Sequence, residues 1–482
     1  MIEELTQTPD TWDVFSRLAV LPHAVFFDSV TRHPTLGRYS FVAADPFEWI
    51  WSRGKETHVQ SDAVTHREAD PFSILAGYIA RFREDSVEGL PSFQGGAAGL
   101  FGYDLCHHLE CLPRPRLDEF RVPDMAVGIY DCVVAFDHVQ GRAWLISTGF
   151  PETDRQCRRQ RAERRLRELA SKLKSAPPEF RHPAVHALDL QAENWPAFEH
   201  DRVISNFSQA AYLKAVGRAL EYIHAGDCFQ VNLAQRLLHP ADIDALELYR
   251  RLRERNPATF AGYLDMGDFV IASASPERFV RLERGEVETR PIKGTRPRVA
   301  DPEEDRRQVD ELLASPKDRA ENIMIVDLLR NDLGRVCRYG SVRVAALCRL
   351  ESYQFVHHLV SEVRGRLGPG LGAVDLLRAS FPGGSVTGAP KIRAMEIIAE
   401  LEPTARGPYC GCLGYLGFDG GMDTNILIRT FTHGRGWIQF PVGGGIVADS
   451  TPEREYEETR HKAEGMLRAF ARATTNGRKH DS

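Results

Sequence analysis

The sequence predicts a mixed α/β or α+β enzyme, and two observations carry that expectation. Residues 1–150 break into short apolar segments separated by turns: AVFFDSV, YSFVAAD, FEWIWSR, MAVGIYDCVVAFD and AWLIST, each read as a strand. From residue 208 onward, segments of helical and of strand periodicity alternate, the pattern of helices packed on sheets.

Residues 152–174 are charged and helix-favouring, and a Pro-bearing stretch without periodicity follows. The chain therefore divides into an N-terminal region (1–175), a linker (176–200) and a catalytic region (201–475). In the last, QAAYLKAVGRALEYIHAG predicts an amphipathic helix ending at Gly226, a residue suited to the left-handed position after a helix. NLAQRLLHP predicts one strand, ADIDALELYRRLRERN a helix and FAGYLDMGDFVIASA a hairpin.

Composition narrows the class. At 482 residues, 43% hydrophobic and 27% charged, the chain is an ordinary globular enzyme. A net charge of -6 gives no general pull toward nucleic acid. The arginines of 152–174 alternate with Glu and Leu and lack stacking aromatics, so that helix is read as a solvated face. No apolar run reaches the ~18 residues of a membrane span, and MIEELTQTPDTWDVF lacks the pattern of a secretory signal. Nine scattered cysteines read as reduced thiols of a cytoplasmic protein.

Two acidic pairs stand out. Asp318 and Glu321 lie three apart in one helical segment, and Glu455 and Glu458 repeat the spacing in another. In the second, Thr451 is a candidate N-cap and Pro452 fits the first position. Such pairs suit a hard cation, Mg²⁺, which takes oxygen ligands and keeps several waters; the alternative is surface decoration.

Glycine-rich segments offer anion sites. FPGGSVTGAPKIR (381–393) leads into a helix, where free N–H groups and the helix dipole favour an anion. It is no nucleotide loop, because Ala389 and Pro390 interrupt the spacing and no Ser or Thr follows Lys391. PVGGGIVADS (441–450) is read as a second glycine turn, either a plain tight turn or a backbone contact for a carboxylate. CHHLEC (106–111) lacks the second cluster of a zinc site. CGCLG (410–414) lacks the features of an amidotransferase nucleophile turn.

Taken together, SPERFV, RPIKGTRPR, KDRAENIMIVDLLRND, GGSVTGAPKIRAMEII, YCGCLGY, NILIRT and GGGIVADSTPEREYEE, in that order, resemble the chorismate-utilising enzymes. GRYSFVAADP and GGAAGLFGYD extend the likeness into the first half. The resemblance implies an anthranilate synthase component I-like sandwich of two antiparallel sheets with helices outside. It implies Glu321 and Glu458 as direct Mg²⁺ ligands, with Asp318 and Glu455 acting through water. Arg429, with the backbone of Gly443, Gly444 and Gly445, would hold the pyruvyl-ether carboxylate beside Tyr409. Ser385 and Thr387 belong to the turn near the ring carboxylate, His358 matches an active-site histidine, and Asn232 lies near the substrate edge.

The resemblance also sorts the chemistry. Water-using members carry a basic lysine where this chain has Gln230, and an amide cannot be that base. The lysine of PIKGT, Lys293, makes the pattern similar to aminodeoxychorismate synthase component I, whereas anthranilate synthases typically have alanine there. The implied reaction is amination of chorismate at C4, with Lys293 adding at C2 and Glu277 protonating the departing hydroxyl. Ammonia would come from a glutamine amidotransferase subunit, and a separate aminodeoxychorismate lyase would complete p-aminobenzoate for folate synthesis. Asp28 and Ser29 stand where relatives hold tryptophan. The rival readings are an anthranilate synthase large subunit and a non-catalytic paralogue.

Overall fold

The computed structural model describes residues 1–6, 8–31, 36–60, 64–67, 70–179, 186–353 and 356–471. Two large antiparallel sheets face each other. One runs Ile2–Glu4, Arg142–Ser147, Cys132–Asp137, Tyr39–Ala43, Val25–Asp28, Phe260–Asp265, Phe269–Ser275, Thr430–Gly434, Trp437–Gln439 and Leu237–Pro240, with two short strands beyond. The other runs Ile292–Pro297, Val356–Arg366, Glu286–Thr289, Arg278–Glu283, Met422–Asn425, Cys412–Gly417, Gly96–Phe101, Met125–Tyr130, Glu48–Arg53, Glu56–Gln60 and Val64–Arg67. Regions 1–175 and 201–475 each contribute strands to both sheets, so they share cores instead of folding round separate ones.

Strand alternation builds three layers. In Tyr39–Ala43, Phe41 and Ala43 enter the layer between the sheets, while Val42 points the other way, toward the helices. The inner layer joins Val25, Phe41 and Leu264 of one sheet to Ala98, Leu100 and Leu413 of the other. Helices Thr11–Leu18, Arg155–Leu173 and Ala245–Arg255 cover one outer face. Pro71–Arg81, Pro316–Gly334 and Ala373–Ser380 cover the opposite one. Each fully buried Phe or Leu in these layers is worth about 1.5–3 kcal/mol. The sandwich with outer helices is thus the observed architecture.

The predicted helix after residue 208 spans Gln209–His224, buries Tyr212, Val216, Ala219 and Ile223, and is followed by Gly226 at φ 85°. The helix Arg155–Leu173 buries only Ala162, Leu166 and Leu169. Its Arg158 and Arg165 are committed to Glu84 and Asp45.

Two segments read as single strands are each two. MAVGIYDCVVAFD divides at Asp131 into Met125–Tyr130 and Cys132–Asp137, which belong to different sheets. NLAQRLLHP divides at Arg236 into Gln230–Gln235 and Leu237–Pro240, again in different sheets. At each crossing a buried charge meets its counterion: Asp131 lies 3.4 Å from Arg161 and Arg165, and Arg236 lies 2.6 Å from Glu119.

A third sheet of three strands, Gly388–Ala389, Gln230–Gln235 and Val442–Ile446, sits under helices Gln209–His224 and Lys391–Leu401. Among the described residues no helix is long and apolar enough to cross a membrane.

Arg236→Leu will strand the buried Glu119 carboxylate and lower stability by about 3–5 kcal/mol. Adding Glu119→Leu will restore much of the loss. Chemical denaturation of the three variants checks this, and a double variant no better than Arg236→Leu contradicts it.

Candidate active site

The first acidic pair is set by a helix start. Ser315 caps Pro316–Gly334, its Oγ accepting the Asp318 N–H at 3.2 Å, and Pro316 takes the first turn. Asp318 then packs on Gly294, where a Cβ would stand 3.0 Å from the Asp318 Cβ. Gly294 has φ 78°, so the close approach and the backbone both require glycine.

The second pair starts at Thr451, with Pro452 following, but the Thr451 hydroxyl makes no cap bond. Ser450 works instead, donating from Oγ to Glu455 Oε1 at 2.6 Å and accepting the Val447 N–H at 3.1 Å. The other Glu455 oxygen is buried without a partner among the described residues.

The segment 441–450, read as a glycine turn, is mostly the strand Val442–Ile446, and the turn comes only at its end. It pairs with Gln230–Gln235, setting Gly445 opposite Asn232 and Gly444 opposite Leu233. These glycines provide room. A Cβ on Gly444 would lie 3.0 Å from Glu455 Oε2 and 3.2 Å from Glu458 Oε1; one on Gly445 would lie 3.1 Å from the Gln230 amide nitrogen. A Gly443 Cβ would meet the Leu233 carbonyl.

Lys293 lies on Ile292–Pro297 opposite Leu359, just before a bulge. Burial drives its ammonium below the usual lysine range, against the attraction of Glu321, Glu277 and Glu458. Burial pushes Glu321 and Glu455 up. Burial acts the same way on Glu458, but Lys462, 2.6 Å from its Oε1, together with Lys293 and Lys317 outweighs it and holds that carboxylate low. Lys462 also donates to the Gly443 carbonyl at 2.8 Å.

Glu277, 6% exposed, is raised by burial to about 7, although Ser385 Oγ donates to its Oε1 at 2.8 Å and Lys293 and Arg429 lie near. His358 is buried with Nδ1 2.9 Å from Thr295 Oγ1. Burial, then Arg429, pushes its imidazole down to about 4, so it is neutral at pH 7. Arg429 takes φ 52°, a strained setting for a non-glycine residue. Its side chain makes no hydrogen bond or ion pair within the described residues, and the residue is open to solvent. Tyr409 is buried, and burial raises its hydroxyl.

Gln230 is fully buried, and neither its amide nitrogen nor its oxygen has a partner among the described residues. Thr387 spends its hydroxyl on the Gly383 carbonyl at 3.0 Å, so it shapes the turn that presents Ser385. Asn232 reaches the Ser385 carbonyl at 3.4 Å. Lys391, the false nucleotide-loop lysine, is buried against Asp332 at 2.7 Å. Cys412 is fully buried in mid-strand, its thiol raised by burial.

Asp28 and Ser29 line a separate cavity of about 940 Å³ with Phe27, Tyr39 and Phe41. The Asp28 carboxylate accepts from Arg253 at 2.7 Å and Tyr249 at 3.0 Å, and Ser29 donates to the Tyr39 carbonyl at 2.6 Å.

Sequence reasoning passed over Thr295, Ser450, Lys462, Glu402 and Arg406. Only Arg406 had a cue, its place three residues before Tyr409.

Because Glu277 titrates above the ordinary carboxylate range, its folded-state advantage is full below about 4.5 and disappears as pH rises through about 7. Ser385→Ala removes a bond that favours the charged form and will move this titration upward, by on the order of one unit. Infrared titration of the protonated carboxyl band checks this; an unchanged or lower midpoint contradicts it.

The pattern of the chorismate binding enzymes matches residues 32–468. Aminodeoxychorismate synthase component 1 of Escherichia coli is 44% identical over 457 residues, covering 94% of each chain. Anthranilate synthase component 1 of Thermus thermophilus is 46% identical over 384 residues, covering 80% of this chain and 79% of that one. The crystal structure of anthranilate synthase component I from Streptococcus pneumoniae superposes with a TM-score of 0.77 at 33% identity, covering 90% of this chain and 93% of that one. The chain belongs to the chorismate binding enzyme family.

Proposed function

We propose that this enzyme replaces the C4 hydroxyl of chorismate with ammonia, giving 4-amino-4-deoxychorismate. The observation that carries the reading is Lys293, a half-buried amine within the electrostatic reach of Glu277, Glu321 and Glu458. The relative matching 94% of the chain is an aminodeoxychorismate synthase component 1. Identity alone does not choose, since an anthranilate synthase component 1 reaches 46% over a shorter span.

Burial favours the neutral, nucleophilic form of Lys293. Its nitrogen bonds to C2, both double bonds of the conjugated ring diene shift, and the C4–O bond breaks as Glu277 gives its proton to the leaving oxygen. Near 7, Glu277 holds that proton in a useful fraction of molecules. Ammonia then bonds to C4, the electrons shift back, the C2–Lys293 bond breaks, and the surplus proton returns to Glu277. Chorismate and ammonia become aminodeoxychorismate and water. The unpaired Arg429 guanidinium suits the pyruvyl carboxylate. The Gln230 amide, lacking a partner, suits ammonia and gives water no base.

The donors also fit Mg²⁺. The unpartnered Glu455 oxygen and Glu458 converge above Gly444, and Glu321 is close enough for its charge to act on both Glu458 and Lys293. Among the described residues no three acidic, His or Cys groups already form a closed site, so water and substrate would complete the shell. Glu321 and Glu458 would hold the ion directly, Asp318 and Glu455 through water, and the ion would supply positive charge to the ring carboxylate.

The component 1 naming of the relatives implies a second component, which we take to be a glutamine amidotransferase delivering ammonia, with a separate lyase forming p-aminobenzoate for folate synthesis. All nine cysteines are free thiols, which suits the cytoplasm. Tryptophan is the ligand proposed for the cavity at Asp28 and Ser29.

The test incubates the purified chain with chorismate, Mg²⁺ and an ammonium salt, then adds aminodeoxychorismate lyase. Formation of p-aminobenzoate is expected. Anthranilate with pyruvate would establish the rival synthase, and no turnover at high ammonium would establish a non-catalytic paralogue. Lys293→Ala will lower kcat by about 10²-fold or more and change chorismate binding by less than about threefold; unchanged turnover removes Lys293 from the mechanism. Gly444→Ala will raise the Mg²⁺ concentration for half-maximal rate by about tenfold or more, and an unaltered Mg²⁺ curve would remove these carboxylates from the ion.

A further inference from the structure

Arg406 touches none of the groups assigned to the reaction's bond changes, yet it joins two walls of the site. It is 7% exposed. Its Nε donates to Glu402 Oε2 at 2.9 Å and its Nη2 to Glu402 Oε1 at 2.6 Å. Nη2 also donates to the Asn232 carbonyl at 2.7 Å, and Nη1 to the Val386 carbonyl at 3.1 Å. Asn232 is two residues beyond Gln230 on the same strand, and Val386 lies between Ser385 and Thr387. Glu402 grips that strand as well, accepting the Ala234 N–H at 2.9 Å.

The guanidinium is itself held in place. It lies over the rings of Tyr103 at 4.7 Å and Tyr409 at 5.7 Å. The next residue, Gly407, gives its N–H to Asp104 at 2.8 Å and its carbonyl to the Tyr103 N–H at 2.7 Å. The N-terminal region thereby fixes the segment from which Arg406 and Tyr409 project.

We infer that Arg406, locked by Glu402, is a positioning residue that sets the distance between the Gln230 wall and the Ser385 turn, and so the fit of both chorismate and ammonia. The inference rests on the amination reading above. Only a planar fork with several donors can hold a carboxylate and two carbonyls at once; a lysine ammonium keeps the charge but cannot span them. Displacements of about 1 Å in a positioned site cost up to roughly 10²-fold in rate.

The experiment measures KM for chorismate, KM for ammonium, kcat and thermal midpoint for wild type, Arg406→Lys and Glu402→Gln. Arg406→Lys is expected to raise both KM values about tenfold or more and to lower kcat. Glu402→Gln, which keeps an acceptor for Ala234 but weakens the lock on Arg406, is expected to move the same quantities less. A purely structural residue would lower the thermal midpoint and the folded fraction while leaving both KM values at wild type, because KM does not depend on how much enzyme is folded. Wild-type KM values in the variants overturn the inference. If Arg406→Lys does not fold, Glu402→Gln decides by the same criterion. A wild-type enzyme that forms no aminochorismate would sink the amination reading itself, which separates the two failures.

Discussion

Charge crowded out of bulk water around Lys293 is the constraint that organises the site. Glu277, Glu321, Glu455 and Glu458 are all subject to desolvation, and three of the four are raised by it. Glu277 and Glu455 are buried, and an ion so placed costs several kcal/mol unless it is paired or hydrogen-bonded. Lys293, Lys462 and Ser385 offset part of that cost, one buried Glu455 oxygen has no partner among the described residues, and the Arg429 guanidinium stands open to solvent without a hydrogen bond. Such a site is stable only on a scaffold that does not yield. It is also prepared for a ligand that brings both signs of charge: a dianion and a divalent cation.

The scaffold supplies that stiffness by placing the groups on elements from different layers. Lys293 and His358 come from neighbouring strands of one large sheet, and Gln230 comes from the small sheet. Glu321 and Glu458 come from helices whose starts are fixed by Ser315, Pro316 and Pro452. Bare backbone joins them: Gly294 admits Asp318, Gly444 admits Glu455 and Glu458, and Gly445 admits Gln230. A methyl group at any of the three would push apart parts held together by nothing bulkier than a hydrogen atom.

How much of this was legible depended on the range of the interaction involved. Helix Gln209–His224, its stop at Gly226 and both acidic pairs follow from local periodicity and turn chemistry, and all were readable. The Asp131 and Arg236 crossings were not, because an apolar run looks the same whether it stays in one sheet or changes sheets. The decisive signal is a buried charge whose counterion, Glu119 or Arg165, lies far away in sequence. That the glycines of 443–445 lie in a strand and not in a turn was not legible for a related reason. Glycine signals either a bend or close approach, and only the carboxylates above Gly444 tell which applies. The place of Arg406 before Tyr409 was a cue, but its bridging role was not legible, because two of its partners are carbonyl oxygens, which carry no side-chain identity.

The choice of product rests on the electrostatics of a single strand position. Alanine at 293 would remove a cation whose charge acts on Glu277, Glu321 and Glu458 alike. The charge it balanced would then fall to the bound ion, to protonation, or to Lys317 and Lys462, which already pair with Glu321 and Glu458. Lys293 therefore does more than offer a nucleophile: it allows these acids to lie close together in an interior that resists them. A residue of this kind ties selectivity to stability. Exchanging it would change the product chemistry and also redistribute protons among the surrounding acids, so the neighbours of position 293 would have to change with it.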